Sequence, residues 1–235
     1  MKRSFIKALF LTVLLMSSPT LLHAQEQESF QKLVKLPLRA GGYDSFLTLM
    51  RININESRKE EGAISFTLFG KDDSYTVYLL ERFKNKTAWE KHKESVYARS
   101  TDGISPAATM NLLEETTLKE IPEIPAEDTE EIAPEENTQN SIEWFTVAPN
   151  TKTAFIEVMG KAIPKARNAT GNLGYNIYQN ADNPNEFIVI ERWKNPEVYQ
   201  THLQNEYSIQ LDKELEGLIT KDTNHRKEVL KNISE

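Results

Sequence analysis

The chain has 235 residues, 35 acidic against 28 basic side chains and a formal charge of −7, a balance that with no basic stripe argues against nucleic-acid binding. It has no cysteine, which excludes disulfide staples, thiolate nucleophiles and cysteine-based metal sites. The length suits one or two domains.

Residues 1–24 read as a secretion signal. Lys2, Arg3 and Lys7 form a positive head, Ala8 to Met16 an apolar core too short for a comfortable membrane span, and Leu22-His23-Ala24 a small-residue cleavage site. Removing them takes the formal charge from −7 to −10 and predicts an exported protein, periplasmic or secreted, with no membrane association after cleavage.

In the remaining chain, Phe30 to Leu38 alternates like a strand. After Gly41-Gly42, Asp44 or Ser45 is placed to cap a helix carrying Phe46, Leu49, Met50 and Ile54 inward. A hairpin follows, Ala63–Phe69 and Tyr75–Phe83. Asn85 then starts a helix with Trp89, His92 and Val96 on one face, and a strand around Met110 to Leu118 closes the half. Residues 119–140 combine Ile121-Pro122-Glu123-Ile124-Pro125 with an acidic tract, the composition of a mobile, extended linker.

The second half repeats the plan. Ile142–Val147 reads as a strand, and Thr151 is expected to cap a helix with Phe155, Val158, Met159 and Ala162 inward that Pro164 is expected to bend or end. A hairpin spans Asn172–Trp193. Asn195-Pro196 is a strong helix start, with Tyr199, His202 and Leu203 inward, and Val229-Leu230 offers a last strand. The two copies match in detail. Glu81-Arg82-Phe83-Lys84-Asn85 returns as Glu191-Arg192-Trp193-Lys194-Asn195, each Glu stands 11 residues before a His, and Gly62 and Gly171 head the two hairpins. The chain is therefore a tandem repeat, with domains at 25–118 and 141–235.

Each half reads β-α-β-β-α-β, the ferredoxin-like order, in an α+β fold. Phe187, Val189 and Trp193 fall on one face of their strand and Ile188 and Ile190 on the other, so both faces need cover. Helices cover one; the sheet of the other half is expected to cover the second.

The pattern of Gly171, Tyr175, Glu191, Arg192, Trp193 and His202, repeated as Gly62, Phe66, Glu81, Arg82, Phe83 and His92, resembles the antibiotic biosynthesis monooxygenase domain of the dimeric α+β barrel superfamily. The resemblance implies two domains packed sheet to sheet as a barrel, as an intramolecular pseudo-dimer or a homodimer. It also implies a choice between cofactor-independent oxygenation of a quinol-like or other small aromatic molecule by O2 and a non-catalytic barrel binding a small hydrophobic ligand or a partner. The haem-degrading branch has a His where this chain has Asp102 and Asp212, and an Asn on a first strand that has none within Phe30–Leu38 or Ile142–Val147, so haem chemistry is not expected.

His92 and His202 are the candidate general bases, since a deprotonated hydroquinone is electron-rich enough to reduce O2. The competing reading is a structural imidazole bonded to the preceding Glu. Glu81 and Glu191 lie on apolar strand faces and need partners. Trp193, Tyr175, Tyr199, Phe83, Phe66 and Trp89 are candidate aromatic walls of a substrate pocket, or simply core. His92, His202 and His225 show no metal spacing, so neither metal nor cofactor is expected. The larger ring of Trp193 and the fixed helix start at Pro196 favour the second half as the working one.

Overall fold

A computed structural model describes residues 28–110, 113–128, 137–220 and 226–234; the expected signal at 1–24 lies outside them. The first half runs β1 (Phe30–Pro37), a 3-10 turn (Ala40–Gly42), α1 (Tyr43–Ser57), β2 (Ala63–Gly70), β3 (Thr76–Phe83), α2 (Lys86–Lys93), α3 (Val96–Ala108) and β4 (Glu114–Glu120). The second runs β5 (Gln139–Thr146), α4 (Lys152–Arg167), β6 (Asn172–Asn180), β7 (Glu186–Trp193), α5 (Pro196–Leu203), α6 (Glu206–Leu215) and β8 (Arg226–Asn232).

The repeat is exact in its joints. The side chains of Asn85 and Asn195 accept hydrogen bonds from Ala88 N and Val198 N, capping α2 and α5 as their positions predict. Both β2 and β6 carry a register shift near their start, at Ala63/Ser65 and Asn172/Gly174. Gly62 and Gly171 back onto the helices that follow: a Cβ on Gly62 would lie 2.4 Å from Ala88 Cβ, and one on Gly171 2.9 Å from Val198 Cγ2. Gly171 also has φ +79°, a conformation that favours glycine.

Several local expectations are corrected. The helix expected after Asn85 ends at Lys93, and Val96 opens α3 at 73% exposure rather than facing inward. Leu203 is likewise exposed at the end of α5. The N-cap of α1 is Gly42, reached through the 3-10 turn, not Asp44 or Ser45. Thr151 is the N-cap of α4, but its hydroxyl donates to the carbonyls of Ala148 and Leu218 instead of capping. Pro164 lies inside α4, which continues to Arg167. Burial of Phe155, Met159, Ile163 and Ala166 outweighs a cost of about 3 kcal/mol for an interior proline.

The eight strands form one closed barrel in the order β1-β3-β2-β8-β5-β7-β6-β4. Each half keeps the ferredoxin-like order, and the halves join where β2 meets β8 and β4 meets β6. Closure leaves no free edge. Two cores lie between the outer sheet faces and their helices, one holding Val34, Phe66 and Phe83, the other Phe145, Phe187 and Trp193. A third fills the barrel with Leu33, Tyr78, Ile142, Trp144, Ile188 and Ile190 from both halves. The two-faced strands are thus covered as their pattern requires.

The first part of the acidic connection is packed, not extended and mobile. β4 reaches Glu120, and Ile121 and Ile124 are buried in the core of the second half. Arg167 donates to the carbonyl of Pro125, and the Asn176 amide exchanges two hydrogen bonds with the backbone of Glu127. Apolar side chains at 121 and 124 decide the matter despite the prolines. Ile124→Ala is expected to cost about 2–4 kcal/mol in urea unfolding; a change within experimental error would show that this segment does not carry core packing.

Candidate functional site

In the second half, β5, β6, β7 and β8 present side chains towards α5 and α6, and a cavity of about 450 Å³ lies between sheet and helices. Its polar lining is Glu143, Glu191, Lys227 and His202, with Ser208, Asp212 and Glu216 from α6 and its end, and its rings are Tyr175, Tyr199 and Phe145. Glu191 is 1% exposed and fully engaged: Trp193 Nε1 donates to Oε2 at 3.0 Å, His202 Nε2 lies 3.4 Å from Oε2, and Lys227 Nζ is 3.3 Å from Oε1. Lys227 also bridges Glu143 at 2.9 Å. The other ring nitrogen of His202, Nδ1, lies 2.8 Å from the Tyr207 hydroxyl.

The electrostatics follow from burial and pairing. Burial alone would raise the Glu191 carboxyl, but His202, Lys227 and Trp193 hold it down to about 2. Burial would lower Lys227, yet Glu191 and Glu143 keep its ammonium well above the ordinary range. Burial, with Glu191 and Glu143 nearby, raises the Tyr175 phenol. Asp212 on α6 is raised by desolvation and by Glu143. The site is therefore a charged, hydrogen-bonded wall on the sheet side, faced from α6 by apolar side chains and the carboxylates of Asp212 and Glu216.

The first half carries the same plan with less room. Its cavity is about 90 Å³ and includes Glu81, His92, Trp89 and Lys32. Trp89 reaches across from α2 and donates to Glu81 Oε2 at 2.7 Å, whereas in the second half the indole donor is Trp193, on the strand itself. His92 Nδ1 lies 3.1 Å from Glu60 Oε1, and Tyr97 donates to the same carboxylate. Desolvation raises Glu81 despite the Trp89 hydrogen bond, the opposite direction to Glu191.

The structure brings His202, Glu191, Tyr175 and Tyr199 together around one cavity and His92, Glu81 and Trp89 around the other. Trp193, expected as a flat wall, lies outside the Glu191 cavity and lines instead a separate, open space of about 540 Å³ with Val198, His202 and Tyr207. Its ring is wholly buried and stacks on His202, with centroids 4.2 Å apart, because β7 turns it behind the imidazole. Phe83 and Phe66 are likewise buried against His92 rather than lining a cavity. Lys227, Tyr207 and Glu143 were missed. Lys227 lies near a chain end with no motif, and only the pairing of Glu143 with Lys227 across β5 and β8 brings it in. Tyr97 and Tyr207 each follow their His by 5 residues, a matched spacing that was legible in the repeat. Asp102 and Asp212 line their cavities at matching places on α3 and α6.

A closed barrel of two ferredoxin-like halves, each with a Glu and a His side by side under its helices and the two paired in the second half, defines a fused α+β barrel. The antibiotic biosynthesis monooxygenase family matches residues 30–101 and 142–211, and the chain belongs to that family. A structure from Fusobacterium nucleatum, described provisionally as a monooxygenase, superposes with TM-score 0.79 at 15% identity, covering 88% of this chain and 93% of that one. One from Lactobacillus acidophilus, described in the same way, gives 0.71 at 21% identity, with 88% and 93% covered. An anthrone oxidase-like protein gives 0.59 at 12% identity, with 88% and 91% covered. These likenesses establish a shared two-domain fold. No protein of curated function matches the chain.

The two carboxylates should respond oppositely to pH. Because Glu191 is lowered from 4.5 to about 2, its stabilisation is present above about pH 4.5 and lost as pH falls towards 2. Glu191→Gln is expected to cost about 2–4 kcal/mol at pH 7, with the gap from wild type narrowing between pH 4.5 and 2.5. Glu81 is raised, so its folded form loses stability as pH rises above the unfolded value, and Glu81→Gln should be neutral or stabilising at pH 7. Urea midpoints across this range measure both; a pH-independent Glu191→Gln gap would contradict the ion-pair assignment.

Proposed function

We propose that the protein is a cofactor-independent monooxygenase that oxidises a quinol-like or other small aromatic substrate with O2 in the second-half cavity. The observation that supports this is the cavity of about 450 Å³ set against an ionised Glu191 and His202, in a chain of this family. In the resting site Nε2–H points at Glu191 and helps to hold that carboxyl low; the catalytic tautomer carries the ring proton on Nδ1, towards Tyr207, and leaves Nε2 to accept. A substrate hydroxyl reaching Nε2 gives up its proton there, and Glu191 at 3.4 Å stabilises the imidazolium formed. The remaining quinolate is electron-rich enough to reduce O2. A hydroquinone plus O2 yields a hydroxylated quinone and water; the substrate supplies all four electrons, so no external reductant enters.

One observation favours the non-catalytic alternative, a barrel that only binds a small hydrophobic ligand: both nitrogens of His202 already have protein partners. Oxygen uptake with a panel of hydroquinones, without added metal or flavin, separates the two. His202→Ala is expected to lower uptake roughly 10²–10⁴-fold, and His92→Ala to lower it far less. No uptake above the buffer rate with any substrate would favour the binding-only reading.

The same proposal includes export, on the pattern of residues 1–24. Protein recovered from the periplasm or medium should have an intact mass starting near Gln25; retention of Met1 would contradict it.

A further inference from the structure

The polar lining of the cavity between the second-half sheet and α5 and α6 is unbalanced. Among the described residues, Glu143 from β5, Glu191 from β7, and Asp212 and Glu216 at α6 and its end all line it, against one ammonium, Lys227 from β8, and His202 from α5. Lys227 is already spent on Glu143 and Glu191. The Tyr175 hydroxyl, on a side chain 5% exposed, has no hydrogen-bond partner among the described residues and lies in the field of Glu191, Glu143 and Tyr199. A phenol hydroxyl that faces a cavity and has no protein partner there is free to hydrogen-bond a ligand's polar atom. The free capacity of the wall is mainly for accepting hydrogen bonds.

We propose that this cavity takes uncharged hydroxylated aromatics and rejects those bearing a carboxylate, with Asp212 and Glu216 as the specificity-determining side chains. The inference rests on the substrate site assigned above. A ligand hydroxyl can donate to a wall carboxylate while its oxygen accepts from Tyr175. A ligand carboxylate would replace that donor with a further negative charge and lose water without gaining a free cation among the described residues. At an effective dielectric of about 20, like charges several ångströms apart are worth roughly a factor of ten or more in affinity.

The test is anaerobic calorimetry at pH 7 with 1,4-dihydroxynaphthalene and its 2-carboxylate, probes that differ in the charged group alone. Wild type is expected to bind the neutral probe at least about tenfold more tightly. In the Asp212→Asn/Glu216→Gln variant, both changes being at solvent-exposed positions, the carboxylated probe should gain about tenfold while the neutral probe changes less than about twofold. Tyr175→Phe should weaken the neutral probe. Equal or tighter binding of the carboxylate by wild type, a gap unchanged in the double variant, or binding of neither probe would overturn the inference. Because oxygen is absent, the result stands apart from turnover: binding selectivity without oxygen uptake would remove the oxygenase reading and leave this one intact.

Discussion

The fold is organised by strands that have no wet face, β3 and β7 above all. In β7, Phe187, Val189 and Trp193 are buried under helices, while Ile188 and Ile190 are buried inside the barrel. A single ferredoxin-like half can cover only the first set. The second set, at roughly 25 cal/mol per Å² of apolar surface, would leave an isolated half exposing a large apolar sheet with two open edges. Closing β2 on β8 and β4 on β6 solves both problems in one step. Fusion of the halves in one chain makes that closure intramolecular, so it does not depend on protein concentration.

Placing the helices against only the outer sheet faces also fixes where chemistry can occur. A carboxylate on an outer face, such as Glu191, is trapped between sheet and helix and must be paired there. Its three partners come from three elements, β7, α5 and β8, so the ion pair forms only after the half has assembled. That arrangement gives a rigid polar wall beside an apolar space, held by packing rather than by a loop.

The repeat, the hairpins, both Asn caps and the two-faced strands were legible because each rests on local spacing: alternation of period two, Asn followed by a helix, a Glu 11 residues before a His. The association of His202 with Glu191 was legible too, since parity and helical spacing put both between sheet and helix; His92 pairs instead with Glu60, which precedes β2. What sequence spacing could not carry was depth. Parity places Trp193 on the helix side of β7, but whether its ring faces the cavity or lies beneath His202 depends on the tilt of α5 against the strand. Lys227 was illegible for a different reason: its role comes from a cross-strand register with Glu143, 84 positions away in the chain. Ile121 and Ile124 were outvoted by the prolines and acids around them, although two apolar side chains suffice to anchor a short segment when a core has room for them.

The two halves have diverged by moving the same parts to different elements. In the first, the cation is Lys32 on β1, opposite Glu81, with Glu115 on β4 as its second partner. In the second, the position matching Lys32 is Ser141, the position matching Glu115 is Lys227, and the extra carboxylate is Glu143, where the first half has Val34. The indole donor has moved as well, from α2 at Trp89 to β7 at Trp193. Moving the indole off the helix and behind the imidazole leaves Tyr199, a smaller ring, at the mouth of Glu191, and the space in front of that carboxylate opens. The cation on β8 can then neutralise Glu191 from the side, where Lys32 sits directly across the strand from Glu81. This is why the same motif yields a carboxyl raised by desolvation in one half and one lowered by its partners in the other. Duplication freed one half to keep a tightly filled, structure-bearing copy of the motif while the other could give up packing for a cavity.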